Sequence, residues 1–374
     1  MNELRLIRLA GDPADQGRAF GRATADLVAH NLEIYFKRFL GETYLDRAEV
    51  LRRVDRYWPV VEAEAPAFAA MVAGIAEGAA QPLPVVAALN LRYELLYAEF
   101  SRLGQAEPEY RYPAGECTAF AVLPETSTDG HLRIGQNWDW IPDVAGVLVH
   151  VTQPGGLRVL CFTEAGIAGG KIGANSAGVG LVVNGLVSSD DDWTRMGRPF
   201  HARTWDILCS TRLEDAVKAV SAGDRACSAN FLIAQAGPLG RGEAVDIEAA
   251  PRGVCLQRPR DGVFAHANHF LEPERLGISQ PLVEERLSTY HRCDRMQQML
   301  AAGSAHGRIA PDALQSMLRD HDGLPESVCR HPNPRLHEPD RYQTVVSVIM
   351  DLHAGRVLAA AGPPCVNAFV EYVV

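Results

Sequence analysis

The chain has 374 residues, of which 47% are hydrophobic and 22% charged, and its formal net charge is -10 at pH 7. This composition is globular and acidic, which argues against a nucleic acid or an anionic membrane as a general partner. No apolar segment suits a secretion signal, and no uncharged apolar run approaches the roughly 18–20 residues that span a bilayer. Eight irregularly spaced cysteines, with no C-x-x-C pair, indicate a reducing cytoplasm.

The first third of the chain predicts helices. Apolar residues recur at helical spacing in three segments, namely 14–40, 46–80 and 83–100. Breaks are expected at Trp58-Pro59 and Gln81-Pro82. Residues 101–115 are polar and contain Pro and Gly, which predicts a loop.

The remainder predicts short strands interrupted by helices. The predicted strands are 118–123, 131–136, 147–153, 158–163, 178–186, 230–235, 243–247, 253–257, 343–351, 356–361 and 369–374. The predicted helices are 202–221, 282–302 and 311–319. Strands in hairpin-like succession favour an α+β layered fold with largely antiparallel sheets.

The β-rich part begins with Cys117, and a cysteine is nucleophilic only as a thiolate. If the peptide bond after Glu116 were cut, the new α-amine of Cys117 would have a pKa of about 7.7–8.0 and could take the thiol proton. The thiol could make that cut by an N-to-S acyl shift. A papain-type histidine base is the alternative, but the flanking residues lack the aromatic-rich context of those enzymes.

Five segments resemble one known family in the same order along the chain. They are GECTAF (115–120), GQNWDW (135–140), FTEAGIAGGKIGANSAGVGLVVNGL (162–186), HANHFL (266–271) and DRYQTVVSVIMD (340–351). Together they resemble the acyl-CoA:6-aminopenicillanic acid acyltransferase (isopenicillin N acyltransferase-like) family of cysteine N-terminal-nucleophile (Ntn) hydrolases, which is related to the choloylglycine hydrolases. The resemblance implies a four-layer αββα sandwich with a helical N-terminal segment. It also implies a precursor that cuts itself between Glu116 and Cys117 into fragments 1–116 and 117–374, which stay associated.

The same resemblance implies roles for individual residues. Asp139 would hold the freed α-amine of Cys117. The side-chain amide of Asn268 and the backbone N–H of Asn184 would form the oxyanion hole, where preorganised donors suit a tetrahedral intermediate. Arg341 would place a positive charge beside the nucleophile and favour its thiolate.

Three residues near Asp139 bear on the substrate. Gln136 stands where the choloylglycine hydrolases have an arginine, which argues against recognition of bile salts. Trp138 and Trp140 are interpreted either as core residues or as walls of an acyl pocket.

Other motifs predict no further site. His266 and His269 have no acidic or thiol ligand at metal-site spacing, so no metal is expected there. Lys171 follows two glycines but lacks the Ser or Thr of a P-loop, so turns explain this run. His331 is expected to be a surface or loop residue, and the cysteines other than Cys117 are expected to be core or surface thiols.

The sequence therefore predicts a cytoplasmic, self-processing amidohydrolase that cleaves a small N-acyl compound through an acyl-enzyme on Cys117, with no cofactor. The alternatives are transfer of the acyl group to a second amine, with dependence on acyl-CoA, and a non-catalytic ligand-binding scaffold. The expected partners are a small amide substrate and the N-terminal fragment of the chain itself. Homo-oligomer formation is left open.

Overall fold

The computed structural model describes residues 4–107, 110, 117–280, 287–305, 307–337 and 341–374. The predicted cleavage junction at Glu116, and Asp340 next to Arg341, lie outside the described residues. Within the described part, no helix is both long and apolar enough to cross a membrane.

In the described part of the N-terminal third, six helices follow one strand. The strand is β1 (Leu6–Ala10), and the helices are α1 (Pro13–Ala23), α2 (Ala25–Thr43), α3 (Arg47–Glu64), α4 (Pro66–Gly78), α5 (Leu83–Asn90) and α6 (Arg92–Ala106). β1 was not predicted from the sequence. It pairs with a later strand, and Leu6 lies opposite Leu148 in a parallel register.

Two predicted boundaries in this third are wrong. Pro59 lies inside α3, although it removes one helical hydrogen bond, because Tyr57 and Val61 on either side of it are buried in the core. The helical segment ends before Pro66 instead. α6 continues through the predicted loop to Ala106, since Ser101 is buried there and its hydroxyl donates to the carbonyl of Ser188 at 2.7 Å.

The rest of the chain alternates strands and helices. The strands are β2 (Thr118–Val122), β3 (Arg133–Trp140), β4 (Gly146–Thr152), β5 (Arg158–Glu164), β6 (Ile172–Asn175), β7 (Val179–Gly185), β8 (Ala229–Ala236), β9 (Gly242–Ala250), β10 (Gly253–Gln257), β11 (Val263–His266), β12 (Gln343–Asp351), β13 (Arg356–Ala361) and β14 (Val370–Val373). The helices are α7 (Phe200–Leu208), α8 (Leu213–Ser221), α9 (Pro273–Leu276), α10 (Leu287–Ala305) and α11 (Pro311–Leu318).

The described strands form two sheets. The larger has the order β1-β4-β5-β6-β7-β8-β9-β10, and the smaller has the order β11-β2-β3-β12-β13-β14. Among these strands, β1 and β4 form the one parallel pair. The mainly antiparallel character predicted from the sequence is therefore confirmed.

The two sheets pack face to face between two helical layers. α7 and α8 contact the larger sheet, and α10 and α11 contact the smaller one. An apolar core lies between the sheets, and a second cluster beneath α10 and α11 contains Phe120, Met296 and Leu314. This is the predicted αββα sandwich, which is thereby confirmed. The N-terminal helices contribute Val28 and Phe100 to the same central core as Phe162 of β5.

Candidate active site

The register of the smaller sheet brings Cys117 opposite Asn268. In the β2–β11 pair, Ala119 lies opposite His266, so Cys117, two positions before Ala119, lines up with Asn268, two positions after His266. The backbone N–H of Cys117 donates to Oδ1 of Asn268. Cys117 is 2% exposed and lines a small cavity.

Arg292 on α10 connects these two residues. Its Nη1 donates to the carbonyl oxygen of Cys117 at 2.5 Å and to Oγ1 of Thr118 at 2.9 Å. Its Nη2 donates to Oδ1 of Asn268 at 3.2 Å. The side chain is fully buried, and burial lowers the pKa of Arg292 while the nearby Asp139 opposes that change. This guanidinium is therefore a fixed positive group behind the nucleophile.

Asp139 lies near the end of β3, on the strand that pairs with β2. Oδ1 of Asp139 accepts a hydrogen bond from Oγ1 of Thr344 at 2.7 Å, across the β3–β12 pair. Oδ2 is buried and has no hydrogen-bond partner among the described residues. Burial raises the pKa of Asp139 well above its ordinary value, while Arg292 and Thr344 oppose the shift. A cation placed at Oδ2 would satisfy this oxygen and restore the carboxylate.

The Cys117 thiol is held neutral in the intact chain. Burial and the carboxyl group of Asp139 raise its pKa to about 12, although the backbone N–H of Asp139, Arg292 and Lys171 favour the thiolate. A thiol with this pKa is a poor nucleophile at neutral pH. It therefore needs a base beside it before it can attack.

The other predicted oxyanion-hole residue, Asn184, lies on β7 opposite Asn230 of β8. Its side-chain Nδ2 lies 3.5 Å from the carbonyl oxygen of His266, and its Oδ1 is buried without a partner among the described residues. The carbonyl of the next residue, Gly185, accepts from Nδ2 of Asn268 at 3.1 Å. Because backbone groups alternate between the two edges of a strand, the N–H of Gly185 points to the Asn268 edge and that of Asn184 to β8.

Gln136 bridges the two sheets. Its Nε2 donates to the carbonyl oxygen of Val183, and its Oε1 accepts from the N–H of Val183 at 3.2 Å. β6 covers β7 only as far as Gly180 and Leu181, which leaves Val183 available for this contact. The amide of Gln136 is therefore occupied by the backbone of β7.

A water-sized sphere can occupy about 20 Å³ of the cavity beside Cys117, which is room for about one water molecule. Five aromatic side chains line it: Tyr93, Tyr97, Trp138, Trp140 and Phe200. Tyr93 and Phe200 are stacked with their ring centroids 4.0 Å apart. The close approach of Tyr97 to β7 requires glycine at 185, since a Cβ there would lie 2.1 Å from the Tyr97 hydroxyl oxygen. The aromatic walls favour a flat apolar group in the cavity.

Two cations share the cavity with the thiol. Lys171 and Arg92 line it, and both donate to Oε1 of Glu164 behind it. Nζ of Lys171 also lies 3.3 Å from the centroid of the Trp138 ring. Burial lowers the pKa of Lys171 to about 7, although Glu164 opposes the shift. In Glu164, burial raises the pKa, but Arg92 and Lys171 outweigh it and bring the value to about 2.

The structure does not bring Arg341 together with Cys117. Nε of Arg341 donates to the carbonyl oxygen of Leu336 at 2.9 Å, and Nη2 lies 3.4 Å from the carbonyl oxygen of Pro334. Arg341 precedes β12, and its side chain folds onto the preceding turn instead of crossing the sheet. The position expected for it is occupied by Arg292, which sequence reasoning missed.

Glu164, Lys171 and Thr344 were also missed. A sequence signal existed for the first two, because they are opposite charges within an otherwise apolar and Gly-rich segment. No local signal marks Arg292, which lies on a helix among other charged residues. His266 is one of the two histidines beside Asn268. Its Nε2 lies 3.1 Å from Oε1 of Glu248, and both of these side chains are buried.

Residues 126–364, well over half of the chain, match the family described as acyl-coenzyme A:6-aminopenicillanic acid acyl-transferase. The chain belongs to this family. The family resemblance inferred from the sequence is therefore confirmed, and the acyl-transferase family places the chain in the class of amide hydrolases and acyltransferases. No curated protein sequence matches the chain significantly.

Three solved structures resemble this member of the acyl-transferase family. A mutant conjugated bile acid hydrolase from Clostridium perfringens has a TM-score of 0.46 and 11% identity, covering 69% of this chain and 97% of its own. An N-acylethanolamine-hydrolyzing acid amidase ortholog from Caenorhabditis elegans has a TM-score of 0.46 and 15% identity, with coverages of 63% and 93%. Penicillin V acylase from Agrobacterium tumefaciens has a TM-score of 0.44 and 14% identity, with coverages of 66% and 83%.

Proposed function

We propose that the protein is a self-processing cysteine amidohydrolase that cleaves the C–N bond of a small N-acyl compound. Cys117 is the nucleophile and carries the acyl group as a thioester. The observation that carries this proposal is the position of Cys117, whose thiol lines a cavity and lies near Asp139 while its backbone lies against Asn268 and Arg292. This is the arrangement that an N-terminal nucleophile requires, with its amine and its sulfur both in the site.

Self-cleavage begins with attack of the Cys117 sulfur on the carbonyl carbon of Glu116. The C–S bond forms as the C–N bond breaks, and the thiol proton goes to the departing nitrogen. Water then hydrolyses the thioester, which frees the carboxylate of Glu116 and regenerates the thiol. Arg292 supports this step by holding the carbonyl oxygen of Cys117 and thereby fixing the rotation of the residue.

The freed α-amine then serves as the base. Its unperturbed pKa of about 7.7–8.0 suits proton transfer from the thiol near neutral pH. Asp139 supports this role because its unpartnered Oδ2 is the acceptor that an ammonium group beside Cys117 would satisfy. An ammonium there would lower the raised pKa of Asp139 and keep the carboxylate charged.

The substrate reaction uses the same atoms. Cys117 attacks the amide carbonyl, the ammonium returns its proton to the leaving amine, and water hydrolyses the thioester. The oxyanion is stabilised by the side-chain amide of Asn268 and by the backbone N–H of Gly185, which faces the Asn268 edge of β7. Loss of one such donor typically costs about 10²–10³ in rate.

The cavity suggests the acyl group. Its aromatic lining suits a short or aromatic acyl chain, and the walls would move apart to admit one, because the space as it stands holds about one water molecule. Gln136 is engaged by β7, which argues against a role in binding a distant anionic group. We therefore propose small aryl-acyl or short-chain amides as substrates.

The N-terminal fragment is proposed to remain bound after cleavage. β1 supplies an edge strand to the larger sheet, and the N-terminal helices supply walls of the cavity, including Tyr93 and Tyr97. A fragment that carries part of the core and part of the site cannot leave without exposing both.

All eight cysteines are free, which agrees with the cytoplasmic location proposed from the sequence.

Acyl transfer is the second candidate, because the family description names an acyl-transferase. The two reactions share the acyl-enzyme and differ in whether water or an amine attacks it. To test the proposal, an amide of 4-nitroaniline that carries an arylacetyl or butyryl group is mixed rapidly with the protein. We expect a burst of 4-nitroaniline close to one equivalent and a matching mass increase on the fragment that begins with Cys117.

The control is the Cys117→Ala variant, which should give neither the burst nor the mass increase. Adding a primary amine distinguishes transfer from hydrolysis, because a transferase forms the new amide in preference to the free acid. A wild type that shows neither burst nor adduct with any short-chain or aryl amide contradicts the enzyme proposal and favours the ligand-binding scaffold.

A further inference from the structure

Two histidines and two cysteines converge outside the Cys117 cavity. His321, Cys329 and His331 lie in the segment between α11 and β12, and Cys365 lies between β13 and β14. One ligand atom from each of the four lies within 4.8 Å of all the others. Nε2 of His331 is 3.2 Å from Nε2 of His321, 3.7 Å from Sγ of Cys329 and 3.3 Å from Sγ of Cys365.

The three separations measured from Nε2 of His331 fit a tetrahedral metal site. With Zn–N bonds of about 2.0–2.1 Å and Zn–S bonds of about 2.3 Å, neighbouring nitrogens lie about 3.3 Å apart, and a nitrogen and a sulfur lie about 3.6 Å apart. The observed distances agree with these values to within a few tenths of an ångström. We propose that His321, Cys329, His331 and Cys365 bind one zinc ion in a Cys₂His₂ site.

Hydrogen bonding alone does not account for the cluster. An imidazole nitrogen carries either one hydrogen or one lone pair, so Nε2 of His331 satisfies only one of its three neighbours. One ion at the centre satisfies all four ligand atoms together. Thiolate and imidazole are also the ligands that zinc takes in structural sites, where all four positions are filled by protein.

A second group of titratable residues is not proposed as a metal site. Asp129, His131 and Asp351 also approach one another, but Arg133 donates to both carboxylates. A guanidinium already balances the charge of that group. Among the described residues, no hydrogen bond or ion pair places such a cation against the sulfurs of the Cys₂His₂ cluster, so the zinc proposal concerns that cluster alone.

The proposed ion would fix the segment that lies behind Asp139. The carbonyl of Val328 accepts from Nδ2 of Asn137 at 2.8 Å, and the N–H of Arg330 donates to Oγ1 of Thr344 at 3.0 Å. Thr344 in turn donates to Asp139. By tying residues 321–331 to Cys365, the ion acts as a positioning element for the active site and takes no part in the bond-breaking steps.

The test is the metal content of the protein as purified from cells grown with zinc. We expect about one zinc per chain by elemental mass spectrometry, and less than a tenth of that in the His321→Ala and Cys365→Ser variants. The matched control is Cys209→Ser, which changes a cysteine of similar burial outside the cluster and should keep its zinc. Circular dichroism checks that each variant is folded.

A second measurement does not depend on the variants. Cobalt(II) chloride added to wild-type protein depleted of metal should give the intense visible absorption of tetrahedral cobalt, together with a sulfur-to-cobalt charge-transfer band. The proposal is overturned if the wild type contains no zinc and gives no such spectrum. It is equally overturned if zinc persists in both folded variants, or if thiol titration of the unreduced, denatured protein finds Cys329 and Cys365 joined as a disulfide.

Discussion

Arg292 on α10 donates a hydrogen bond to the carbonyl oxygen of Cys117, although 175 positions separate the two residues along the chain. The same guanidinium reaches Asn268, so one buried side chain sets the distance between the nucleophile and the predicted oxyanion donor. The sequence assigned a positive charge near Cys117 to Arg341. Variants at these two positions therefore distinguish the two assignments.

Replacing Arg292 by Met should reduce both self-cleavage and amide turnover by about 100-fold or more, since it leaves two buried acceptors unpaired and misplaces the nucleophile. The Arg341→Met variant is the matched control and should stay within about threefold of the wild type, because among the described residues Arg341 donates to backbone carbonyls of the preceding turn. Timed gel analysis and release of 4-nitroaniline measure the two steps. The reverse order of effects would assign the charge to Arg341.

Asp139→Asn should leave the fold intact and slow turnover by about 100-fold or more. The amide keeps the contact with Thr344 but cannot balance an ammonium group at the amine of Cys117. Asp143→Asn, in the exposed turn after β3, is the control and should be unchanged. Comparable rates for the two variants would remove Asp139 from the mechanism.

Glu164 is predicted to be essential for stability. Replacing it by Gln leaves Lys171 and Arg92 buried without a counter-charge, which should cost about 3–5 kcal/mol of unfolding free energy. Glu77→Gln removes an exposed pair with Arg18 and should cost less than about 1 kcal/mol. Urea unfolding in the uncleaved Cys117→Ala background measures both. Equal midpoints would show that the buried network contributes no net stability.

Lys171 should also make stability depend on pH. Its pKa is lowered from 10.5 to about 7 in the folded protein, so above pH 7 the unfolded chain holds a proton that the folded chain has lost. Unfolding free energy therefore rises with pH in this window, by about 1–2 kcal/mol between pH 7 and 8.5. Subtracting the curve of Lys171→Met from that of the Cys117→Ala background isolates this contribution. Parallel curves would contradict the lowered pKa.

The sequence predicts the fold class and many of the strands because local patterns define them. β10, β12 and β13 have the predicted bounds, since apolar runs there end at turn residues. β6 was missed because Gly173 interrupts the pattern. Glycine is needed at that position, where a Cβ would lie 2.3 Å from the Cβ of Cys161 on the neighbouring strand. The predicted helix over 202–221 divides into α7 and α8 for a similar local reason, as Cys209 and Ser210 end the first helix through contacts with its last turn.

The candidate site likewise contains residues that local sequence patterns identify and residues that they do not. Asp139 and Asn268 were found because each belongs to a recognisable segment of the chain. Arg292 and the proposed zinc ligands were not found, because their roles depend on which elements, distant in the sequence, pack together in the fold. His321 and Cys365 lie 44 positions apart, and no spacing rule for zinc ligands joins them.

The N-terminal-nucleophile mechanism is best tested by the intact mass of freshly purified wild-type protein, measured beside that of the Cys117→Ala variant. Scaling 40.7 kDa by the lengths of residues 1–116 and 117–374 predicts fragments of about 13 and 28 kDa for the wild type. The variant should stay whole at 40.7 kDa. A folded wild-type protein that hydrolyses amides while it remains whole would contradict the N-terminal-nucleophile mechanism, because Cys117 would then have no free α-amine to serve as its base.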